Sequence, residues 1–225
     1  MLSRLLSAIA LAVFGVTLCA ATPLRAGGAD SEPRGVPSPR DLRAAAGFVA
    51  EMRRTFTIQG KAVPPQIFRD FGDGDLADSG GIWVAVDVAA AIGSNLYFDE
   101  VRKEGEWVSQ KTHRSTTGVA EETAYSFIGS TKNGLLVALA TYSGGGSGTF
   151  YTLHILDVAA ASAFDMEGRP YRRIALTNLR SVTLGDRWEG RVTIKDNTVR
   201  IVTDRSGPGE TAGPRPPLDI EARRP

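Results

Sequence analysis

From Leu135 to Tyr142 the chain reads Leu-Leu-Val-Ala-Leu-Ala-Thr-Tyr, apolar at nearly every position rather than at every second one. Side chains alternate between the two sides of a strand, so a strand with this pattern needs apolar cover on both faces. It has to lie inside a sheet with further layers packed above and below. Asn133-Gly134 stands just ahead of it, the dipeptide preferred in two-residue type I′ hairpin turns. Closing the turn on those two residues pairs Ile128 with Leu139, Phe127 with Ala140 and Tyr125 with Tyr142.

Other segments repeat the β signature. Ile82, Val84, Val86 and Val88 alternate with Trp83, Ala85, Asp87 and Ala89, a period of two. Leu96–Arg102 and Glu106–Thr112 form a hairpin joined at Glu104-Gly105, which sets Arg102 opposite Trp107 in cation–π geometry. Asp196-Asn197 closes a third hairpin, with Ile194 opposite Val199 and Val192 opposite Ile201. The apolar faces agree across that turn, as a correct register demands. Phe150–Val158 and Arg173–Leu179 add strands, separated by a loop from Ala159 to Pro170 with room for a short helix. Leu218–Glu221 supplies a short edge strand.

One helix stands ahead of these strands. Ser38 is an N-cap, Pro39 suits the first helical position, and Asp41 sits three residues after the cap. Leu42, Ala45, Ala46, Val49, Met52 and Phe56 follow at helical spacing, predicting a helix from Pro39 to about Arg54 whose apolar stripe packs on a sheet. About ten strands joined by short turns imply an all-β fold, a mainly antiparallel sandwich or a curled barrel-like sheet, with this single N-terminal amphipathic helix.

Met1–Ala21 has the layout of a secretory signal peptide: Arg4, an apolar run from Leu5 to Cys19, then Ala20 and Ala21. Cleavage is expected after Ala21, or alternatively after Ala26. Leu18 ahead of Cys19 does not suit a lipoprotein signal, which wants a small residue there. The single cysteine of the chain is Cys19, so the exported protein has no disulfide and must draw its stability from burial. Residues 22–38 read as a disordered lead-in, 39–204 as a single β-rich domain, and 205–225 as a Pro/Gly-rich tail. A periplasmic or secreted location follows, with no transmembrane segment in the mature chain.

Charge narrows the partners. There are 26 Lys and Arg against 25 Asp and Glu, and removing Arg4 with the signal leaves 25 against 25. Nucleic-acid binding rests on neutralising phosphates with a basic excess, so no nucleic-acid partner is expected.

Several segments carry candidate chemistry. Asp70, Asp73, Asp75 and Asp78 lie within a glycine-containing stretch of nine residues, a composition able to wrap a hard cation such as calcium. The stretch resembles the Asp- and Gly-rich calcium loops of integrin-type propeller repeats, with shifted Asp and Gly phases and no repeat. That resemblance implies calcium ligation by these aspartates; ordinary Asp/Gly turns use the same residues. Ser143-Gly144-Gly145-Gly146-Ser147-Gly148 lacks the Lys-Ser/Thr of a phosphate loop and joins two strands. It reads as a strand connection, or as a lip over a ligand site flanked by Tyr142 and Tyr151, with Gly144, Gly145, Gly146 and Ser147 at its crest. His113 and His154 are too few for a zinc site. His154 reads as a semi-buried strand histidine, three residues from Asp157 and on the opposite face. Trp188 shares a face with Val192 and Ile194 and belongs to the core. Trp107, beside Ser109 and Lys111, is the aromatic expected at the surface.

No catalytic residues are assigned. The sequence favours an exported, non-enzymatic binding module for a protein or polysaccharide of the cell envelope. A hydrolase using carboxylates or a scattered triad, and a calcium-stabilised structural module, are the alternatives.

Overall fold

The computed structural model describes residues 42–72, 85–94, 100–113, 120–205 and 216–225. In chain order its elements are α1 (Leu42–Thr55), β1 (Thr57–Ile58), β2 (Lys61–Ala62), α2 (Ile67–Gly72), β3 (Ala85–Asp87), α3 (Val88–Ser94) and β4 (Val101–Glu104). Then come β5 (Trp107–His113), β6 (Ala120–Ser130), β7 (Leu136–Ser143) and β8 (Phe150–Phe164). The last four are β9 (Pro170–Asp186), β10 (Glu189–Lys195), β11 (Thr198–Arg205) and β12 (Leu218–Glu221).

Seven strands form an antiparallel sheet in the order β3-β9-β8-β7-β6-β5-β4, curled into a half-barrel. This is the curled form of the expected all-β fold. β7 is its middle strand, and both of its faces are covered. Leu136, Ala138 and Ala140 join Ala45, Met52, Phe56, Phe68 and Tyr125 under α1 and α2. Leu135, Val137 and Leu139 join Trp188, Val199, Ile201 and Ile220 under a second sheet of order β10-β11-β12.

α1 ends one residue beyond the expected Arg54, at Thr55. Met52 and Ala45 are fully buried and Val49 half-buried, but Ala46 is exposed, so the apolar stripe is narrower than the sequence suggested. Residues 38–41 lie outside the described residues. Phe56 stops the helix in the left-handed region (φ 55°), with its N–H donating to Met52 O at 2.9 Å. That conformation costs a non-glycine residue about 1–2 kcal/mol. Burial of the ring offsets the cost: it stacks on Phe127 at 5.2 Å and meets Tyr125 edge-on at 5.3 Å.

The Asp196-Asn197 hairpin has the expected register, Ile194 with Val199 and Val192 with Ile201. Leu218–Glu221 does add an edge strand, on β11. Other expectations are corrected. The strand read from Ile82 to Val88 stops at Asp87; Val88 opens α3, because Asp87 Oδ1 caps that helix by accepting from Ala90 N at 3.3 Å. Residues 82–84, like 95–99, lie outside the described residues.

The first hairpin turns on Gly105-Glu106, with Gly105 at φ 59°. A glycine in the first central position suits a type II′ turn. Arg102 therefore faces Ser109, not Trp107, and its guanidinium bonds Glu100 instead. The Asn133-Gly134 hairpin also turns differently. Thr131 N donates to Leu135 O, Gly134 N to Thr131 O, and Gly134 takes φ 82°, giving a three-residue loop. A bulge between Phe127 and Gly129 then sets Tyr125 opposite Ala140 rather than Tyr142, and Phe127 opposite Ala138. That displacement is even, so those side chains keep the faces the sequence assigned.

The segment 159–170 is no loop with a helix. β8 and β9 continue through it as a ribbon to the Phe164–Pro170 pair. Asp165 builds the turn there, accepting from Glu167 N at 3.0 Å, Arg169 N at 2.8 Å and Arg169 Nε at 2.8 Å.

Gly190 shows how tightly the second core is closed. A Cβ there would lie 2.1 Å from Val202 O and 2.5 Å from the Trp188 ring. Gly190→Ala is expected to displace Trp188 and lose about 2–3 kcal/mol. Gly146→Ala, with no atom within 4 Å of its new methyl, should stay within about 0.5 kcal/mol of the parent. Urea titration followed by tryptophan fluorescence checks both, and equal losses would remove the role given to this contact.

Candidate functional site

Directly paired residues in an antiparallel sheet share a face. Thr123 pairs with Tyr142, and Tyr142 with Phe150, making one row across β6, β7 and β8. The next row runs Tyr125, Ala140, Thr152, Thr183, and beyond it His154 pairs with Ser181. All lie on the face that carries the helices. α2 crosses the end of that face, started by Pro64 and Pro65, whose carbonyls accept from Ile67 N and Phe68 N at 3.2 and 3.0 Å. Between α2 and these rows is a cleft of about 240 Å³, walled by Phe68, Arg69, Tyr142 and Phe150 and lined by Thr123, Thr152, Thr183 and His154.

The glycine-rich connection joins Tyr142 and Phe150, two rings that line the cleft. A Cβ on Gly144 would meet Tyr142 Oη at 3.3 Å, and one on Gly148 would meet the Phe150 ring at 3.2 Å. Glycine is what lets the backbone approach both rings this closely. The connection is anchored at its far side: Arg187 donates to Ser147 O at 2.6 Å, and Thr149 N donates to Asp186 Oδ1 at 2.8 Å. Gly144, Gly145, Gly146 and Ser147 are exposed at its crest.

Charge in the cleft is compensated. Arg69 Nη1 bonds Glu121 Oε2 at 2.8 Å, and its Cζ sits 5.5 Å above the Tyr142 ring. His154 is buried, 1 % exposed, with the Phe68 ring 5.2 Å away. Burial holds its pKa down at about 4 against an ordinary 6.5, although a hydrogen bond with Asn178 opposes the shift. It is therefore a neutral imidazole at physiological pH. Its Nδ1 lies 3.1 Å from Ser181 Oγ, and Asn178 Nδ2 donates to that hydroxyl at 2.8 Å.

A serine beside a histidine invites a nucleophile reading. General bases work best with a pKa near the operating pH, and His154 lies well below it. Asn178 contacts the serine and brings no carboxylate to orient the ring. This trio holds α2 to the sheet: Asn178 Nδ2 also reaches Phe71 O at 3.4 Å.

The expected site residues divide. Tyr142 lines the cleft, whereas Gly144, Gly145, Gly146 and Ser147 are not among its lining residues. Tyr151 does not line it either, since it points to the opposite face and packs 5.9 Å from Trp188. Trp107 is half-buried against that same second core; the exposed aromatic bordering the cleft is Phe150, 52 % accessible. His154, expected semi-buried, is fully buried. Asp70 falls in α2, and Asp73, Asp75 and Asp78 lie outside the described residues. Among the described residues no three His, Asp or Glu side chains stand close enough to hold a metal ion, and no helix is long and apolar enough to cross a membrane.

The sequence reading missed Phe68, Arg69, Thr123, Phe150, Thr152 and Thr183 as site residues. Part of the signal was there: alternation along β8 puts Phe150, Thr152 and His154 on one face and Tyr151, Leu153 and Ile155 on the other. The Pro64-Pro65 pair was a helix-start signal for α2. This chain matches no protein-family profile, no curated protein and no solved structure.

The buried imidazole sets a pH dependence. The fold favours neutral His154, so the unfolded chain binds more protons between the two pKa values, and stability rises with pH across that window. Its contribution is complete above about 6.5 and is lost as pH falls towards about 4, a difference of roughly 3 kcal/mol at most. The parent should lose midpoint faster than His154→Gln between pH 7 and pH 4 in urea titrations. Parallel profiles would show that His154 is not held neutral by the fold.

Proposed function

We propose that this protein is an exported, non-enzymatic binding module that holds a protein or polysaccharide of the cell envelope in the cleft beneath α2. The observation that carries the reading is the composition of the cleft. It combines exposed and half-buried aromatic rings with several hydroxyls, and its titratable groups are either neutral or already paired. Such a mixture of apolar wall and a few placed polar groups is what ligand sites share. Burial of His154 and its bond to Ser181 support recognition over a general-base role for this residue.

Export rests on the Met1–Ala21 signal. Protein recovered from the exported fraction is expected to begin at Thr22, or at Gly27 for the alternative cleavage, by intact mass. An uncleaved cytoplasmic chain would remove the envelope from the reading.

Binding is tested by sedimenting purified mature protein with washed envelope material. The parent should pellet saturably. Phe150→Ala, a change at a half-exposed position, should weaken pelleting at least about tenfold, roughly the effect of losing one aromatic anchor. Equal pelleting of parent and variant, or none by either, would overturn the assignment.

A further inference from the structure

Three threonine hydroxyls line the cleft, on Thr123, Thr152 and Thr183. Thr123 lies deepest, 5 % exposed. A purely apolar occupant would strip water from these groups without replacing it, at a cost of about 1–3 kcal/mol for each one left unsatisfied. An anion is not favoured either, because Glu121 already compensates the guanidinium of Arg69 at 2.8 Å. The size is also restrictive: about 240 Å³ is below the roughly 300–1,000 Å³ of pockets that enclose drug-sized ligands.

Resting on the reading of this cleft as a binding site, we infer that its ligand is one ring of an uncharged, polyhydroxylated glycan, a neutral sugar residue of an envelope polysaccharide. The C–H face of the sugar lies on Phe150, whose ring is half exposed at the mouth, with Tyr142 beside it. Ring hydroxyls meet Thr152 and Thr183, which face each other across β8 and β9, and the deeper Thr123. The mouth is open, so the rest of the polymer continues into solvent past Gly144–Gly146.

The test titrates purified mature protein with neutral trisaccharides (maltotriose, cellotriose, mannotriose and tri-N-acetylchitotriose), read by calorimetry and by saturation-transfer NMR. Trigalacturonate and the capped peptide Ala-Tyr-Ala serve as the charged and aromatic competitors. At least one neutral trisaccharide should bind with a Kd of about 1 mM or tighter, with transfer strongest to the protons of one terminal ring. Phe150→Ala should weaken it at least about tenfold, and the isosteric Thr152→Val/Thr183→Val double variant by a similar factor. Preference for the peptide or for trigalacturonate would overturn the sugar assignment, as would sugar binding indifferent to both variants. If no trisaccharide binds while envelope pelleting persists and still depends on Phe150, the sugar falls and the binding reading stands. If pelleting fails too, both fall.

Discussion

Everything in this fold follows from having to cover β7 twice. Its alternate side chains are apolar on both sides, and each fully buried Leu or Val contributes about 1.5–3 kcal/mol. One face is covered by α1 and α2, the other by the β10–β12 sheet, and β5, β6, β8 and β9 also send side chains into both cores. With no cysteine in the expected mature chain, no covalent bond substitutes for this packing. The curl of the seven-stranded sheet lets one set of helices cover strands as far apart as β5 and β9.

The layers are held in register by polar side chains at turns. Asn133 N donates to Asn197 Oδ1 at 2.9 Å, and Asn133 Nδ2 donates to Ala222 O at 2.8 Å. Lys132 N reaches Asp196 O at 2.8 Å, joining the tips of two hairpins. Arg224 bonds both oxygens of Asp157 at 2.9 and 3.0 Å and Asn133 O at 2.9 Å, so the last residues brace the same corner. Asn133 is thus occupied with distant segments. That engagement accompanies the three-residue loop found in place of the two-residue turn its dipeptide prefers.

The cleft is where the helix-side face stops being apolar. Along β8 the face reads Phe150, Thr152, His154, Leu156, Val158, passing from exposed aromatic to hydroxyl to neutral imidazole to hydrocarbon core. Polar groups at that boundary are tolerated because each is either neutral or matched: Glu121 by Arg69, His154 by Ser181. Pairing and neutrality together leave no uncompensated charge at this half-buried boundary.

By itself the sequence determined the class of fold, the two-sided burial of Leu135–Tyr142, the α1 helix, the register at Asp196-Asn197 and the core position of Trp188. These depend on periodicity and turn chemistry, which act over a few residues. The tertiary structure alone decided the rest. Ala159–Ala163 has good helix formers, yet it is a strand because residues 171–175 pair with it; Val88 leaves its strand because Asp87 caps α3. A bulge at Phe127/Gly129 and a displaced turn at Gly105 changed two registers without a mark in the alternation. The cleft brings together α2 and four strands, from Phe68 to Thr183. No local pattern encodes that meeting, because it depends on how far the sheet curls and on which helix covers its end.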